Sequence, residues 1–331
     1  MRNEQVPDRN IAMELVRTTE AAALAAARWM GRGDKNASDG AAVNAMRMMM
    51  DTVDMDGIVV IGEGEKDEAP MLFNGERVGS GHGPQVDVAV DPIDGTRLLS
   101  LGRPNALSVV AVAPRGTMFN PKDIFYMEKI AVGAAAKGKI DLSAPIAWNI
   151  EQVANAKDLA VEEVTVVILD RDRNTEIVDQ IRAAGARIRF ITDGDVAGAV
   201  MAGLAGTGVD MLLGIGGSPE GVVAAVAMKC LEGDMQCRLW PRDDGDRKLA
   251  LERGLDVTRV LTIDDLVSSD DVFFAASGIT TGDLLKGVEY VAGGATSESL
   301  VMRARSGTIR RIQTEHHWRK LEQISGTRYT N

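Results

Sequence analysis

The stretch VDVAVDPIDGT, residues 86–96, decides how the rest of this sequence is interpreted. Its first five residues alternate valine with an acid or alanine, which is typical of a β-strand, and Asp91 follows directly on that strand. Pro92 fixes the backbone after Asp91, and Asp94 comes three residues after Asp91, so both carboxylates can share one site. Thr96 adds a hydroxyl that can hydrogen-bond to a water molecule. The stretch therefore predicts a strand that ends in two acids and a hydroxyl.

Acids stand beside glycines in four other turns of the sequence. Glycine has no Cβ, so a turn that contains it can bring the backbone and the adjacent acid close to a ligand. Any one of these turns, taken alone, is also explained by the ordinary preference of Asp and Gly for turns and helix N-caps. The turns are SDG at residues 38–40, IGEGE at residues 61–65, DGD at residues 193–195 and SPEG at residues 218–221.

Two of the acids point to a metal ion. Asp91 and Glu63 each follow an apolar strand, and neither has Lys or Arg directly beside it. A buried carboxylate without a counter-charge is unfavourable, so another cation is expected to compensate. Because these turns contain neither His nor Cys, we expect a hard ion with oxygen ligands, Mg²⁺ or Mn²⁺, and not zinc. The residues set aside from this chemistry are Cys230 and Cys237, expected to be free thiols, and His82, His316 and His317, expected to lie on the surface.

Length, composition and charge narrow the class of protein. The 331 residues are 45% apolar and suggest about two domains, and no apolar run approaches the roughly 20 residues that cross a bilayer. The net charge of −11, from 37 basic and 48 acidic residues, argues against nucleic acid or an anionic membrane surface as a partner. The first residues contain no apolar segment typical of a signal peptide, so the expected location is the cytoplasm.

The sequence predicts an α/β protein whose two halves differ. In the first half, two helical runs precede short strands, which favours helices packed on a mostly antiparallel sheet, an α+β arrangement. From residue 164 onward strands and helices alternate, which predicts parallel crossover units and an α/β second half. We place the boundary at residue 157, giving domains 1–157 and 158–331. Four late strand-like runs between residues 272 and 313 could extend either sheet.

The DPIDGT motif resembles that of the lithium-sensitive, metal-dependent sugar and inositol phosphatases. The wider match narrows the resemblance to class II fructose-1,6-bisphosphatases, spans essentially the whole chain, and implies a layered αβαβα sandwich. The matching segments follow one another in the same order as in that family. Besides residues 91–96 they are GRGDKN at 31–36, DG at 39–40, IGEGE at 61–65, DEAPML at 67–72, ITDGD at 191–195, GIGG at 214–217, PEG at 219–221 and GIT at 278–280.

The resemblance also implies which residues form the site. The implied ligands of two or more Mg²⁺ or Mn²⁺ ions are Asp39, Glu63, Asp91, Asp94 and Glu220. Many relatives carry Glu where this chain has Asp94, and the shorter side chain leaves open whether that residue ligates directly or through water. The implied sugar bisphosphate contacts are Asp94, Gly95, Thr96, Tyr126, Arg171, Asp172, Arg173, Asp193, Gly194, Asp195 and Gly217. Lys35 either adds a positive charge there or is simply solvated.

The implied activity is hydrolysis of the 1-phosphate of fructose 1,6-bisphosphate to fructose 6-phosphate, a step of gluconeogenesis, with sedoheptulose 1,7-bisphosphate as a second candidate substrate. Thr96 would orient the attacking water with an acid as its partner, either Glu63 or Asp94. The domain that carries most metal ligands is 1–157, and the domain that carries Glu220 and the substrate-binding residues is 158–331. The resemblance further implies a homo-oligomer, a dimer or a tetramer.

Other functions remain open at this point. An inositol monophosphatase or a nucleotide 3′-phosphatase of the same superfamily would use the same acids. A nucleotide-binding module without enzymatic activity is suggested by GIGGSP at residues 214–219, between a strand and a helix, although Pro219 stands where a dinucleotide-binding fingerprint has its third glycine. A non-catalytic protein that keeps the fold is disfavoured because all the expected acids are present.

Overall fold

The computed structural model describes residues 10–64, 71–122 and 124–325. The acid-rich residues Glu65, Asp67 and Glu68 of the matching segments lie outside this part of the chain. The α-helices are α1 (Ala12–Ala27), α2 (Lys35–Met50), α3 (Thr96–Ser100), α4 (Ile146–Lys157), α5 (Thr175–Ala184), α6 (Asp195–Gly203), α7 (Ser218–Cys230), α8 (Asp244–Glu252), α9 (Ile263–Leu266) and α10 (Trp318–Ser325). The strands are β1 (Asp56–Ile61), β2 (Arg77–Val78), β3 (Gln85–Asp94), β4 (Leu107–Pro114), β5 (Tyr126–Val132), β6 (Thr165–Leu169), β7 (Arg187–Ile191), β8 (Met211–Gly217), β9 (Asp234–Leu239), β10 (Leu261–Thr262), β11 (Phe273–Gly278), β12 (Glu289–Val291), β13 (Gly294–Arg303) and β14 (Thr308–His317).

The first sheet is mostly antiparallel, as predicted. Its strands run in the order β12-β13-β11-β4-β3-β1-β2, with β14 paired to β13, and only the β1–β3 pair is parallel among the described strands. The late strands β11 to β14 therefore all belong to this sheet. They reach it because β11 pairs along its whole length with β4 in the centre of the sheet.

The second sheet has the order β10-β9-β5-β8-β6-β7. The predicted crossover units are confirmed, since β6 pairs in parallel with both β7 and β8 through α5 and α6. The other pairs, β5 with β8 and with β9 and β10 with β9, are antiparallel. The division into domains 1–157 and 158–331 stays a prediction, but membership of the sheets cuts across it: β5 joins the second sheet, and the chain after residue 272 returns to the first.

Helices and sheets stack in five layers, which confirms the expected αβαβα sandwich. Helices α1 and α2 pack on the outer face of the first sheet, α6 and α7 lie between the sheets, and α4 and α5 cover the outer face of the second. Successive side chains of β4 pack against different layers: Val109 and Ala111 face the middle helices, whereas Val110 and Val112 face α1 and α2. At one end of the middle layer, the N-termini of α6 and α7 thus lie next to strands of both sheets.

Two local predictions are corrected by the structure. Residues 38–40 do not form a turn, because Asp34 caps α2 by accepting a hydrogen bond from the backbone N–H of Ala37 at 2.9 Å, and Asp39 falls within the second turn of that helix. His316 is not a surface residue: it is buried on β14, where its Nε2 lies 2.8 Å from the hydroxyl of Ser297, and burial lowers its pKa.

Other predictions about single residues are confirmed. Cys230 and Cys237 are free thiols, both buried, and burial raises the pKa of each to about 12. His82 and His317 are exposed. In the described ranges no helix is both long and apolar enough to span a membrane.

Candidate active site

A cavity of about 470 Å³ opens at the end of the middle layer. It lies where β1, β3 and β8 end and where α6 and α7 begin. All of the predicted site residues except Lys35, Asp39 and Asp172 line it. Those that do are Glu63, Asp91, Asp94, Gly95, Thr96, Tyr126, Arg171, Arg173, Asp193, Gly194, Asp195, Gly217 and Glu220.

The end of β3 places Asp91 and Asp94 on the cavity. Ala89 faces the middle helices, so Asp91, two residues further on, faces them as well. The pairing of β3 with β4 shifts register between Asp91 and Asp94, and Pro92 occupies this irregularity, where its missing N–H does not interrupt the ladder. The Asp91 side chain accepts a hydrogen bond from the backbone N–H of Ile93 at 3.0 Å, which fixes the turn.

The first turn of α7 adds Glu220 from the opposite direction. Strand β8 runs to Gly217 and α7 begins at Ser218, so no loop separates them. A Cβ at Gly217 would overlap the carboxylate of Glu220, which explains why glycine is required before this helix. The Glu220 carboxylate at this turn argues against the dinucleotide-binding interpretation of residues 214–219, because its negative charge would repel a pyrophosphate.

Glu63, Asp91, Asp94 and Glu220 together form what we call the acidic wall. Burial raises the pKa of Asp91, Asp94 and Glu220, and neighbouring carboxylates raise it further, although the charge of Lys129 on β5 opposes the shift at Glu220. Glu63 is exposed at the rim, yet desolvation by the surrounding protein, and then the charges of Asp39 and Glu220, raise its pKa to about 7. These acids repel one another and cannot all be charged without a compensating cation.

The acidic wall has the chemistry of a site for hard metal ions. Asp94 Oδ2 and Glu220 Oε2 are buried and have no hydrogen-bond partner, which is unfavourable for carboxylate oxygens unless a cation binds them. Within residues 10–64, 71–122 and 124–325 no three acidic, His or Cys side chains already form a coordination group. Binding would therefore need side-chain rotation, and the two free oxygens are the observation that fits a metal.

Thr96 and Asp39 lie next to the acidic wall. The Thr96 hydroxyl donates to Asp39 Oδ1 at 3.2 Å, and Asp39 reaches it from α2. The acid that touches Thr96 is thus Asp39, and not Glu63 or Asp94 as the sequence suggested, because α2 and the start of α3 pack side by side. Burial raises the pKa of Asp39, while the Thr96 hydrogen bond and the charge of Lys35 oppose that shift.

The same cavity is also lined by Tyr126, Arg171 and Arg173, which we call the basic wall. Arg173 is held in place by two contacts: its Nε donates to the carbonyl oxygen of Ile215 at 3.0 Å, and its guanidinium lies 4.4 Å from the centre of the Tyr126 ring. Arg171 lies 3.6 Å from Asp193 Oδ1. The basic wall offers guanidinium groups suited to phosphate oxygens.

Two predicted substrate contacts lie outside the cavity. Asp172 is exposed, because it begins the short 3-10 helix Asp172–Asn174 after Arg171 and lies in a separate surface depression beside α5. Lys35 is the first residue of α2 and is exposed in a shallow depression beside Asp34. Lys35 acts on the site through its positive charge, which opposes the rise in the pKa of Asp39.

One charged residue at this site was missed from the sequence. Lys129 on β5 is 1% exposed, and its Nζ lies 2.7 Å from Asp195 Oδ2. A signal was available, since Lys129 alternates with Met127 and Ala131, which pack in the core between the two sheets, whereas Ile130 and Val132 pack on the outer face of the second sheet. Phe125, before the same strand, also lines the cavity.

A layered αβαβα fold with an acid-lined cavity between its sheets is the arrangement that the resemblance to sugar phosphatases implied. The family model described as bacterial fructose-1,6-bisphosphatase, glpX-encoded, matches residues 9–316, and the chain belongs to this family. Members of this family depend on metal ions in general.

Similar proteins agree with this family. Fructose-1,6-bisphosphatase 1 class 2 of Escherichia coli K12 is 48% identical over 322 residues, covering 93% of this chain and 96% of the relative. The class 2 fructose-1,6-bisphosphatases of Escherichia coli O6:H1 and Shigella flexneri have the same identity and coverage. The chain is therefore similar to these enzymes over nearly its whole length.

Proposed function

We propose that this protein hydrolyses fructose 1,6-bisphosphate at its 1-phosphate, giving fructose 6-phosphate and inorganic phosphate. The observation that carries the proposal is that one cavity is lined both by the acidic wall and by the basic wall. A bisphosphate has two anionic ends, and only one of them is cleaved. The acidic wall would hold the cations that bind the reacting phosphate, and the basic wall binds the other phosphate directly.

The residues that would hold Mg²⁺ or Mn²⁺, two ions or more, are Asp39, Glu63, Asp91, Asp94 and Glu220. The free oxygens of Asp94 and Glu220 support this assignment. When bound, such ions supply the positive charge that activates water and stabilises the transferring phosphoryl group and the leaving oxygen. Asp94 uses Oδ2 for this purpose. A hydrogen bond from the backbone N–H of Ala197 opposes the rise of the Asp94 pKa, so part of this carboxylate already has a partner.

Thr96 orients the attacking water. Its hydroxyl hydrogen is directed to Asp39, so the Thr96 oxygen is left to accept a hydrogen bond from water beside the 1-phosphate. As the water attacks phosphorus and the bond from phosphorus to the sugar oxygen breaks, the proton of the water passes to the Thr96 hydroxyl and the Thr96 proton passes to Asp39 Oδ1. Asp94, Gly95 and Thr96 contact the phosphate that leaves.

The basic wall binds the 6-phosphate. Arg171 and Arg173 donate to its oxygens and Tyr126 keeps Arg173 in position, while Asp193, Gly194, Asp195 and Gly217 contact the sugar. Gly194 is the N-cap of α6 with a φ of +78°, and its missing Cβ leaves Asp94 Oδ2 only 3.4 Å from that position. The sugar-binding turn and the acidic wall are therefore in direct contact.

Phosphate release tests the proposal. The metal-stripped protein is assayed with fructose 1,6-bisphosphate, sedoheptulose 1,7-bisphosphate, inositol 1-phosphate and a nucleoside 3′-phosphate, each with Mg²⁺ and with Mn²⁺. We expect turnover only after metal is added, with fructose 1,6-bisphosphate among the best substrates. Preference for inositol 1-phosphate or the nucleotide would instead support the alternative phosphatases. The cytoplasmic location and the dimeric or tetrameric state stay predictions.

A further inference from the structure

Lys129 lies under the cavity in the centre of the second sheet. Its strand β5 pairs with β8 on one side and β9 on the other, and the side chain points toward the middle helices. Burial alone would lower the pKa of Lys129, but the charges of Asp195 and Glu220 outweigh burial and raise it. A permanent cation thus stands among buried acids, and neither the family motifs nor the proposed mechanism uses it.

Two glycines make room for this lysine. A Cβ at Gly216 would lie 3.1 Å from Lys129 Nζ and would overlap Asp195 Oδ2. A Cβ at Gly221 would lie 3.3 Å from Lys129 Cε. Both glycines belong to the segments that flank Glu220, so the backbone around the acidic wall is shaped to admit the lysine and its partner.

Asp195 connects Lys129 to the cavity. It is the first residue of α6, is 6% exposed and lines the cavity. Lys129 occupies its Oδ2, which leaves Oδ1 to face a ligand. Without a cation at Oδ2, the carboxylate would be repelled by Asp94 and Glu220, whose pKa values are both raised by its charge.

We propose that Lys129 is a positioning residue that holds Asp195 in the orientation that accepts hydrogen bonds from the sugar hydroxyls of the substrate. This inference rests on the proposed function. Lys129 touches no substrate; it acts by fixing Oδ2 and thereby the direction of Oδ1. Lys129 also makes Asp195 a weaker metal ligand than the acids of the acidic wall, because a carboxylate already paired with an ammonium group has less attraction for a metal ion.

A second lysine, partly buried and paired with two exposed acids, provides the control. Lys229 lies at the far end of α7 from Glu220, its side chain is 7% exposed, and it pairs with Asp264 at 2.7 Å and Asp270 at 3.1 Å. Neither of these acids lines the cavity. Lys129→Met and Lys229→Met thus each remove a lysine from an ion pair, one at the site and one away from it.

The experiment measures KM and kcat for fructose 1,6-bisphosphate in wild type and both variants, at saturating metal. Lys129→Met is expected to raise KM at least tenfold with less than a threefold fall in kcat, and Lys229→Met to leave KM within twofold of wild type. A KM for Lys129→Met within twofold of wild type in a folded protein, or an equal rise in Lys229→Met, overturns the proposal. If the wild type does not hydrolyse this substrate, the proposed function fails first, which distinguishes the two failures.

Lys129→Met leaves a buried carboxylate without its partner and can prevent folding. The comparison is then made between Asp195→Asn and the double variant Lys129→Met with Asp195→Asn, in which no charge is left unpaired. If Lys129 acts through Asp195, the KM of the double variant lies within twofold of that of Asp195→Asn. A KM at least tenfold higher in the double variant overturns the proposal, because Lys129 would then act on the site by another route.

Discussion

The acidic wall and the basic wall of the cavity differ in how their charges are satisfied. Arg173 has a carbonyl oxygen and an aromatic ring as partners, and Arg171 lies near Asp193. In the acidic wall, by contrast, Asp94 Oδ2 and Glu220 Oε2 are buried without a partner. Protein groups thus hold the basic wall in place before a ligand arrives, whereas the acidic wall is complete only with cations. The buried carboxylates of the acidic wall repel one another, and the fold tolerates this repulsion because the same carboxylates are needed to bind cations.

Neutralising the acidic wall is expected to have the largest effect. Asp91→Asn and Glu220→Gln each remove a charge that would hold a metal ion, and we expect kcat to fall by about 10³-fold or more. Melting curves of the metal-free variants should show the fold intact, because repulsion between the acids decreases. Phosphate release at saturating Mg²⁺ or Mn²⁺ measures the effect. Asp172→Asn is the matched control, since Asp172 is exposed and outside the cavity, and its kcat should equal that of wild type.

Weakening the basic wall should change binding more than chemistry. Arg173→Ala removes a charged hydrogen-bond donor, for which a loss of about 1.5–3 kcal/mol is typical, so KM should rise about 10- to 100-fold. Fructose 1-phosphate lacks the second phosphate and serves as the internal control: its KM should be similar in wild type and Arg173→Ala. An equal loss for both substrates would contradict the assignment of the basic wall to the 6-phosphate.

The acidic wall should also make the stability of the metal-free protein depend on pH. The pKa of Glu63 is raised from 4.5 to about 7 in the folded state, and the pKa values of Asp91 and Asp94 are raised too. The folded state then holds more protons than the unfolded state, so stability is lost as pH rises from about 4.5 through 7. The melting temperature should fall over that range in EDTA, and Asp94→Asn should flatten the curve. A melting temperature that rises over the same range without metal would show that the wall is already compensated.

Removing Lys35 is expected to have the smallest effect. Lys35 is exposed, and its charge acts on Asp39 through solvent, so Lys35→Ala should change kcat and KM by less than about threefold. Steady-state kinetics at two ionic strengths measures this effect. A tenfold or larger loss would mean that Lys35 reaches the substrate and that the basic wall extends beyond Tyr126, Arg171 and Arg173.

Much of this site could be predicted because its residues lie in short motifs with local causes. Asp91, Asp94 and Thr96 occupy one strand end and turn, and Glu220 opens a helix after a glycine, so the sequence alone indicates how each is presented. The five-layer architecture followed from the family resemblance. The alternation of strands and helices after residue 164 was also sufficient to predict the crossover units of the second sheet.

What the sequence could not show are contacts between distant segments. The hydrogen bond from Thr96 to Asp39 joins residues 57 positions apart, and that from Lys129 to Asp195 joins residues 66 apart. The pairing of β11 with β4 likewise depends on how the whole chain packs. No local pattern encodes such partners, so the sequence leaves the acid beside Thr96 open between Glu63 and Asp94 and does not show the contact with Asp39.

Anomalous diffraction from crystals soaked in Mn²⁺ tests the central claim, that cations complete the acidic wall, most directly. The account predicts two or more anomalous peaks in the cavity, with Asp94 Oδ2 and Glu220 Oε2 among their ligands and the basic wall free of metal. Peaks confined to the protein surface, or a cavity that stays empty at Mn²⁺ concentrations that support turnover, would contradict it.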